Sequence, residues 1–321
     1  MNAFPAAARR LVGRASSGGR AGDAVLYGLC GLAALSSLVL LLAIAYEVVT
    51  GSSAAFSRFG LGFLVHAQWA PNFNLYGAGA FLYGTVVSSL MALLLALPIG
   101  VAIGIFLSML APVQIRGLVG PLVEMLAAIP SVILGFWGIL VVAPYLRSNI
   151  EPWLHSSLGF IPIFGPAQTT GLSVFTAGLI LTIMVVPIIA SISRDLFLTV
   201  PRELQDGAAA LGATRWESIR GVVLPTAASG VAAAAFLGLG RALGEAIAVQ
   251  QVIGSGSAIH ASLFQTGDTL ASRMVANFPP TSKLDKGALF YLAAMLLAIG
   301  LITNLLAQWI GRRFDVRSRA A

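Results

Sequence analysis

Arg241 and Glu245 lie four residues apart in GVAAAAFLGLGRALGEAIAVQQVIG (residues 230–254), a run with no other charge. An arginine at bilayer depth costs about 2.5–3.5 kcal/mol on insertion scales, so a functional role is the default reading. A spacing of four puts both side chains on one helical face, where they can pair. A guanidinium fork that deep in a membrane points to an anion pathway. The alternative is a neutralising intrahelical pair that merely helps assembly. Gly240 and Gly244 form a G-x-x-x-G step on nearly the same face, which suits a pore lining or a subunit seam. Gly100 and Gly104 repeat that step, and plain helix packing is the expected use there.

The elements that must hold this pair follow from composition. The chain has 321 residues, 58% hydrophobic and 10% charged, with a mean hydropathy of +0.90. A soluble domain carries about 25% charged residues, so this is an all-α polytopic membrane protein. Apolar stretches near 25–49, 80–110, 117–144, 171–193, 226–252 and 287–311 each meet the ~20 residues needed to cross the hydrocarbon core. Six transmembrane helices are therefore expected. Pro98 should kink or split the second span, and Pro121 and Pro130 should break the third. The first span is too long for the apolar region of a signal peptide. Cys30 is the only cysteine, which excludes an internal disulfide.

Basic residues set the orientation. With the N-terminus inside, thirteen arginines fall in cytoplasmic segments and five Lys or Arg in outer loops, a bias that puts both termini in the cytoplasm. The net charge of +7 is thus topogenic, and nucleic acid is not an expected partner. Residues 1–22 read as a disordered cytoplasmic N-terminus and 23–75 as the first helix with its outer loop. The main transmembrane domain spans 76–311, and 312–321 form a basic tail. The outer loop 145–170, rich in Pro, Gly and aromatics, reads as an ordered cap. It is either a docking surface for an external partner or a lid on its own helices. His66, His155 and His260 are far apart in outer loops, so no metal site is expected.

The inner loop 194–225 carries the second signal. Pro201 suits the first position of a helix, with Glu203 complementing its N-terminus and Gly212 stopping it. Thr214 and Glu217 form a capping box that opens a second short helix, with Trp216, Ile219 and Val223 on one side. Leu224-Pro225 should then redirect the chain into the fifth span.

Asp206-Gly207-Ala208, then Gly212, then Val222-Val223-Leu224-Pro225 resemble the E-A-A loop of ABC importer membrane subunits at the same spacing. Gly207 in place of Ala weakens the helix by up to ~1 kcal/mol. Further segments narrow the resemblance: Glu124 to Ile133, Ser191-Ile-Ser-Arg-Asp195, Val200 to Leu204, Leu211 to Trp216 and Gly240 to Glu245. Over roughly 75–311 the chain resembles the phosphate ABC importer permeases of PstC type. The resemblance implies a type I importer permease fold in a bacterial inner membrane. It implies a second homologous permease (PstA type), an ATPase dimer (PstB type) and an extracytoplasmic phosphate-binding protein (PstS type). Glu203, Asp206, Gly207, Ala208, Gly212, Arg215 and Pro225 would then couple the chain to its ATPase.

On that resemblance Arg241 becomes a transient site for inorganic phosphate. Glu245 would hold Arg241 when the pore is empty and keep the site weak enough to release its anion. Neither lysine, Lys283 nor Lys286, sits in a phosphate-binding loop motif, so ATP hydrolysis falls to another chain and no cofactor is expected. Glu124 can pair with an interfacial arginine such as Arg116, cap a partner group or stay solvated. The remaining aromatics are expected to face lipid or pack. A sulfate or molybdate permease is the nearest rival. A secondary transporter is less favoured, since Glu245 is the only deep acid and no duplication appears.

Overall fold

A computed structural model of the protein describes residues 16–166 and 169–314. Among these, helices dominate, and the only β-pairing is an isolated bridge between Ala70 and Leu75. Six helices are long and apolar enough to cross a membrane. They belong to α1 (Ser16–Phe59), α2 (Gly79–Leu110), α4 (Ser131–Leu158), α5 (Val174–Leu198), α7 (Arg215–Gly244) and α10 (Lys283–Phe314). Between them lie α3 (Val113–Ala127), α6 (Arg202–Ala210), α8 (Ile247–Val252) and α9 (Leu270–Ala276).

The chain divides into two compact units at Thr50–Gly51. The first is mostly α1, apolar on all faces save for Asp23 and Glu47 and exposed over nearly all of 22–50, as suits a helix bathed in lipid. Residues 16–22, expected to be disordered, form its first turns. Residues 1–15 and 315–321, the rest of the expected tails, lie outside the described residues.

The second unit is built on α5, which is buried on most sides. Ile180, Leu181, Met184 and Ile189 pack with Ala92 and Ala96 of α2 and with Ala248, Val249 and Val252 of α8. The step Gly100-x-x-x-Gly104 seals the α2–α5 seam as expected. A Cβ at Gly100 would stand 2.9 Å from the Ile189 side chain, and one at Gly104 would stand 3.0 Å from the Arg194 backbone nitrogen.

The prolines meet the expectation only in part. Pro98 and Pro121 sit inside uninterrupted helices, so the second span is not split and the third is not broken at Pro121. Pro130 does break the third stretch. It caps α4, so 117–144 is two helices, and α4 runs on to Leu158 through the segment expected to be a loop. Four π turns appear, at Phe106–Leu110, Gly138–Val142, Leu146–Ile150 and Ile219–Val223. Each ends two residues before a proline: Pro112, Pro144, Pro152 or Pro225. At Pro144, Pro152 and Pro225, where the helix runs on, the widened turn moves the preceding carbonyls away from the ring and absorbs the missing N–H bond.

The loops after α1 and before α9 come together at the start of α2. Phe63 stacks on Tyr291 at 4.4 Å, and Trp69 packs edge-on against Phe81 at 5.3 Å. Thr85 Oγ1 accepts from the Leu270 N–H at 2.9 Å. Asp268, fully buried, faces Arg273 at 2.7 Å, and that guanidinium lies 4.8 Å from the Phe81 ring centre. Burial holds the Asp268 carboxyl above its ordinary range, against the opposing pull of Arg273. The cap beyond α4 packs the same way. Leu263 N–H donates to the Ile163 carbonyl at 2.9 Å, and Phe164 meets Phe264 at 6.1 Å. The cap thus packs on its own chain, while Trp153 and Phe160 stay exposed on it.

Candidate functional site

The fifth span is not continuous. α7 ends at Gly244, and Glu245 adopts extended backbone (φ −71°, ψ 119°) before α8 begins. The expected pairing of Arg241 with Glu245 on one helical face is therefore overturned. Among the described residues no salt bridge joins them. Glu245 instead turns to the following helix, where its Oε1 accepts from the Ala248 N–H at 3.3 Å. The i,i+4 argument needed an unbroken helix, and the backbone turns out one residue before the acid.

Both side chains still line one open groove of about 1200 Å³ between α7 and α10, with Ile188 of α5 at its edge. Gly240 and Gly244 face it, and a Cβ at either would meet nothing within 4 Å. Arg241 is exposed there. The far wall is Gly300, Thr303, Asn304, Ala307, Gln308 and Gly311 of α10. Thr303, Asn304 and Gln308 were missed in the sequence. Their signal was available: three hydrogen-bonding side chains at helical spacing inside the last apolar stretch.

The 194–225 loop forms as local rules require, with two corrections. α6 spans Arg202–Ala210 with Pro201 as its cap residue rather than its first turn, and Gly207 sits within it. Gly212 has φ +91°. Its N–H donates to the Ala209 carbonyl at 2.9 Å, and Ala213 N–H reaches the Ala208 carbonyl at 3.0 Å. That is a glycine stop of the Schellman type. The capping box is present: Thr214 N–H donates to Glu217 Oε2 at 2.8 Å, and Glu217 N–H to Thr214 Oγ1 at 3.3 Å. It opens no separate short helix. Arg215 starts α7 itself, which continues through Pro225 past a π turn at Ile219–Val223. That turn shifts the helical register, so Ile219 and Val223 are buried while Trp216 is exposed.

Ile219 and Val223 pack with Ile105, Phe197 and Val200, which ties the loop to the ends of α2 and α5. Asp206 and Arg215 border a cleft of about 190 Å³ beside Met109 and Leu110. Glu203, Gly207 and Gly212 are exposed, Ala208 is half-buried, and Pro225 is exposed farther along α7. Leu211, 91% exposed, and Leu204, 49% exposed, add an apolar surface to this projection. Nearby, Glu124 pairs with Arg194 at 3.1 Å rather than with Arg116, whose Nη2 donates instead to the Ala111 carbonyl. The partner lies seventy positions away, beyond the reach of a helical-spacing argument. Gly120 lets the arginine approach: a Cβ there would stand 3.2 Å from Arg194 Nη1.

Residues 100–316 match the family described as binding-protein-dependent transport system inner membrane component. The chain is 40% identical over 285 residues to the phosphate transport system permease protein PstC of Pasteurella multocida, covering 88% of this chain and 89% of that one. It is 38% identical over 304 residues to the protein of the same name from Mesorhizobium japonicum, covering 93% and 92%. Among solved structures, a chain of a bacterial alginate ABC transporter bound to its periplasmic protein superposes with TM-score 0.59 at 16% identity, covering 92% of this chain and 98% of that one. A chain of the inward-facing MetNI methionine ABC transporter gives TM-score 0.52 at 19% identity, covering 77% and 99%.

Proposed function

The chain belongs to the binding-protein-dependent transport system inner membrane components, and from that premise we propose how it works as the membrane permease of an ABC importer for inorganic phosphate. The relatives that cover most of its length are named as phosphate permeases. The fold is that of ABC importer permeases. One observation carries the mechanism: an exposed arginine, unpaired among the described residues, lines a groove between two helices long enough to span a membrane.

In this mechanism Arg241 contacts phosphate through its fork, and Glu245 tempers the site so that the anion leaves. The groove is half of a pore, completed by a second homologous permease. A binding protein delivers phosphate from outside. The excess of arginine in the segments expected to face inward supports cytoplasmic termini.

ATP energy enters through the projection formed by α6 and the start of α7. Glu203, Asp206, Gly207, Ala208, Gly212 and Arg215 sit on or beside its exposed face, Leu204 and Leu211 supply apolar anchors, and Pro225 lies farther along α7. A partner ATPase receives that face in a groove and shifts the permease between outward- and inward-open states. The complex, reconstituted with its ATPase and binding protein, should show phosphate-stimulated ATP hydrolysis that sulfate does not support. Arg241→Lys should impair uptake and Arg241→Gln should impair it more, because the fork geometry is lost before the charge. Near-normal uptake by both variants removes Arg241 from the phosphate path.

A further inference from the structure

The exposed apolar face of α10 (Leu301, Ile302, Leu305, Leu306) is suited to lipid. Its groove face carries Thr303, Asn304 and Gln308, and none of the three has a hydrogen-bond partner among the described residues. Polar side chains left in hydrocarbon cost several kcal/mol each. That face therefore meets hydrogen-bonding groups, of a guest or of another chain, rather than lipid. Across from it stand one cation, Arg241, and one carboxylate, Glu245, that the cation does not neutralise. One Glu245 oxygen is held by Ala248, and Oε2 has no protein partner among the described residues.

A free carboxylate in an anion path is an electrostatic contradiction unless the anion brings a proton. An ionised carboxylate only accepts hydrogen bonds. Near neutral pH inorganic phosphate keeps at least one O–H, whereas sulfate keeps none. We propose that Glu245 is the specificity-determining residue of the groove: it accepts the hydrogen bond of phosphate's own O–H, while Arg241 grips two other oxygens and the Asn304 and Gln308 amides donate from the opposite wall. A fully deprotonated oxyanion would place an oxygen against the carboxylate with no proton between them and be turned away by repulsion. An O–H donor to a carboxylate makes a short, charge-assisted bond, so the same group attracts one oxyanion and excludes the other. This proposal rests on the reading of Arg241 as an anion-contacting residue.

The test uses the assembled permease–ATPase complex in membrane vesicles, without binding protein, so that selectivity is the groove's own. Cys30→Ala removes the chain's single cysteine, and Ala307→Cys places a reporter on the groove wall between the two amides. Labelling of this chain by a charged methanethiosulfonate is then timed with phosphate or equimolar sulfate. Phosphate should slow labelling about fivefold or more and sulfate less than about twofold, well within the discrimination a hydrogen-bonded site can reach. Glu245→Gln should make the two anions protect alike, and Glu245→Asp, which keeps the acceptor, should restore the preference. Unchanged labelling of the Glu245→Gln complex without anion shows that the groove survives the substitution. Equal protection by both anions with Glu245 intact, or a phosphate preference that persists in Glu245→Gln, overturns the proposal but leaves the anion path standing. If neither anion slows labelling while the full complex still takes up phosphate, the path reading itself fails. If the cysteine reacts in the isolated chain but not in the complex, a partner helix fills the groove and the proposal also falls.

Discussion

The α2–α5 side and the α7–α10 side hold the same ingredients in opposite states. Each has a G-x-x-x-G step and an arginine close to an acid. On the first side Gly100 and Gly104 let α2 press onto α5, and at the N-terminal end of α2 Arg273 reaches a fully buried Asp268 at 2.7 Å. On the second, Gly240 and Gly244 face open space, and Arg241 and Glu245 share a groove without pairing. The motif is identical, and the neighbour decides its use. Where a second helix of the same chain arrives, small residues and charges become structure. Where none arrives, they remain available to a guest or to another chain.

The largest effect should come from moving one leucine between the two steps. Gly104→Leu forces a side chain into the Arg194 backbone and should abolish folded, inserted protein, because overpacking against backbone cannot relax. Gly240→Leu should insert and melt like the parent but lose phosphate uptake, since the side chain projects into the groove. Equal thermal stability of the two variants in detergent breaks the comparison.

Next in size are the two arginines. Arg273→Ala leaves Asp268 buried without its partner and should cost about 3–5 kcal/mol, read as a fall in melting temperature. Arg241→Ala should leave stability within about 0.5 kcal/mol, as for a surface position. The acid adds a pH test. The Asp268 carboxyl titrates above its ordinary range in the folded state, so the folded state keeps that proton to higher pH than the unfolded chain. Its contribution to stability is therefore present below the ordinary carboxylate pKa and declines as pH rises toward the raised folded value. Asp268→Asn should flatten that part of the stability–pH curve, and an unchanged curve refutes the assignment.

Gly212 tests the coupling projection at smaller cost. Its φ of +91° is unfavourable for a branched side chain, although the space around it is open. Gly212→Val should cost about 1–2 kcal/mol locally. The spans should stay inserted while copurification of the ATPase is lost. Copurification with normal transport points to a different docking surface.

The smallest expected number is a coupling energy. A double-mutant cycle on stability with Arg241→Gln and Glu245→Gln should give less than about 0.5 kcal/mol, since the side chains do not touch. A coupling of 1 kcal/mol or more, about what a real contact gives, restores the intrahelical pair.

Much of this molecule is legible in its residues alone. Span number, helix class and the capped 194–225 loop rest on interactions within a few residues: apolar length, the Thr214–Glu217 box, the glycine at 212. Such features are set by local chemistry and survive whatever packs around them. Prolines are legible as positions but not as outcomes, because a π turn placed two residues earlier lets a helix pass through Pro144, Pro152 and Pro225. The chemically important pairings lie beyond local reach. Glu124 meets Arg194 seventy residues on, and the Arg241–Glu245 spacing loses its meaning because the helix ends between them. Sequence by itself determined that a charged pair lies in an apolar run and that six helices can cross a membrane. Only tertiary structure decided that the pair stands open, that α10 faces it with Thr303, Asn304 and Gln308, and that one glycine step is closed and the other free. The physical reason is that hydrophobic length and capping are properties of a segment, whereas burial, ion pairing and an open groove belong to the surfaces that two segments do or do not bring together.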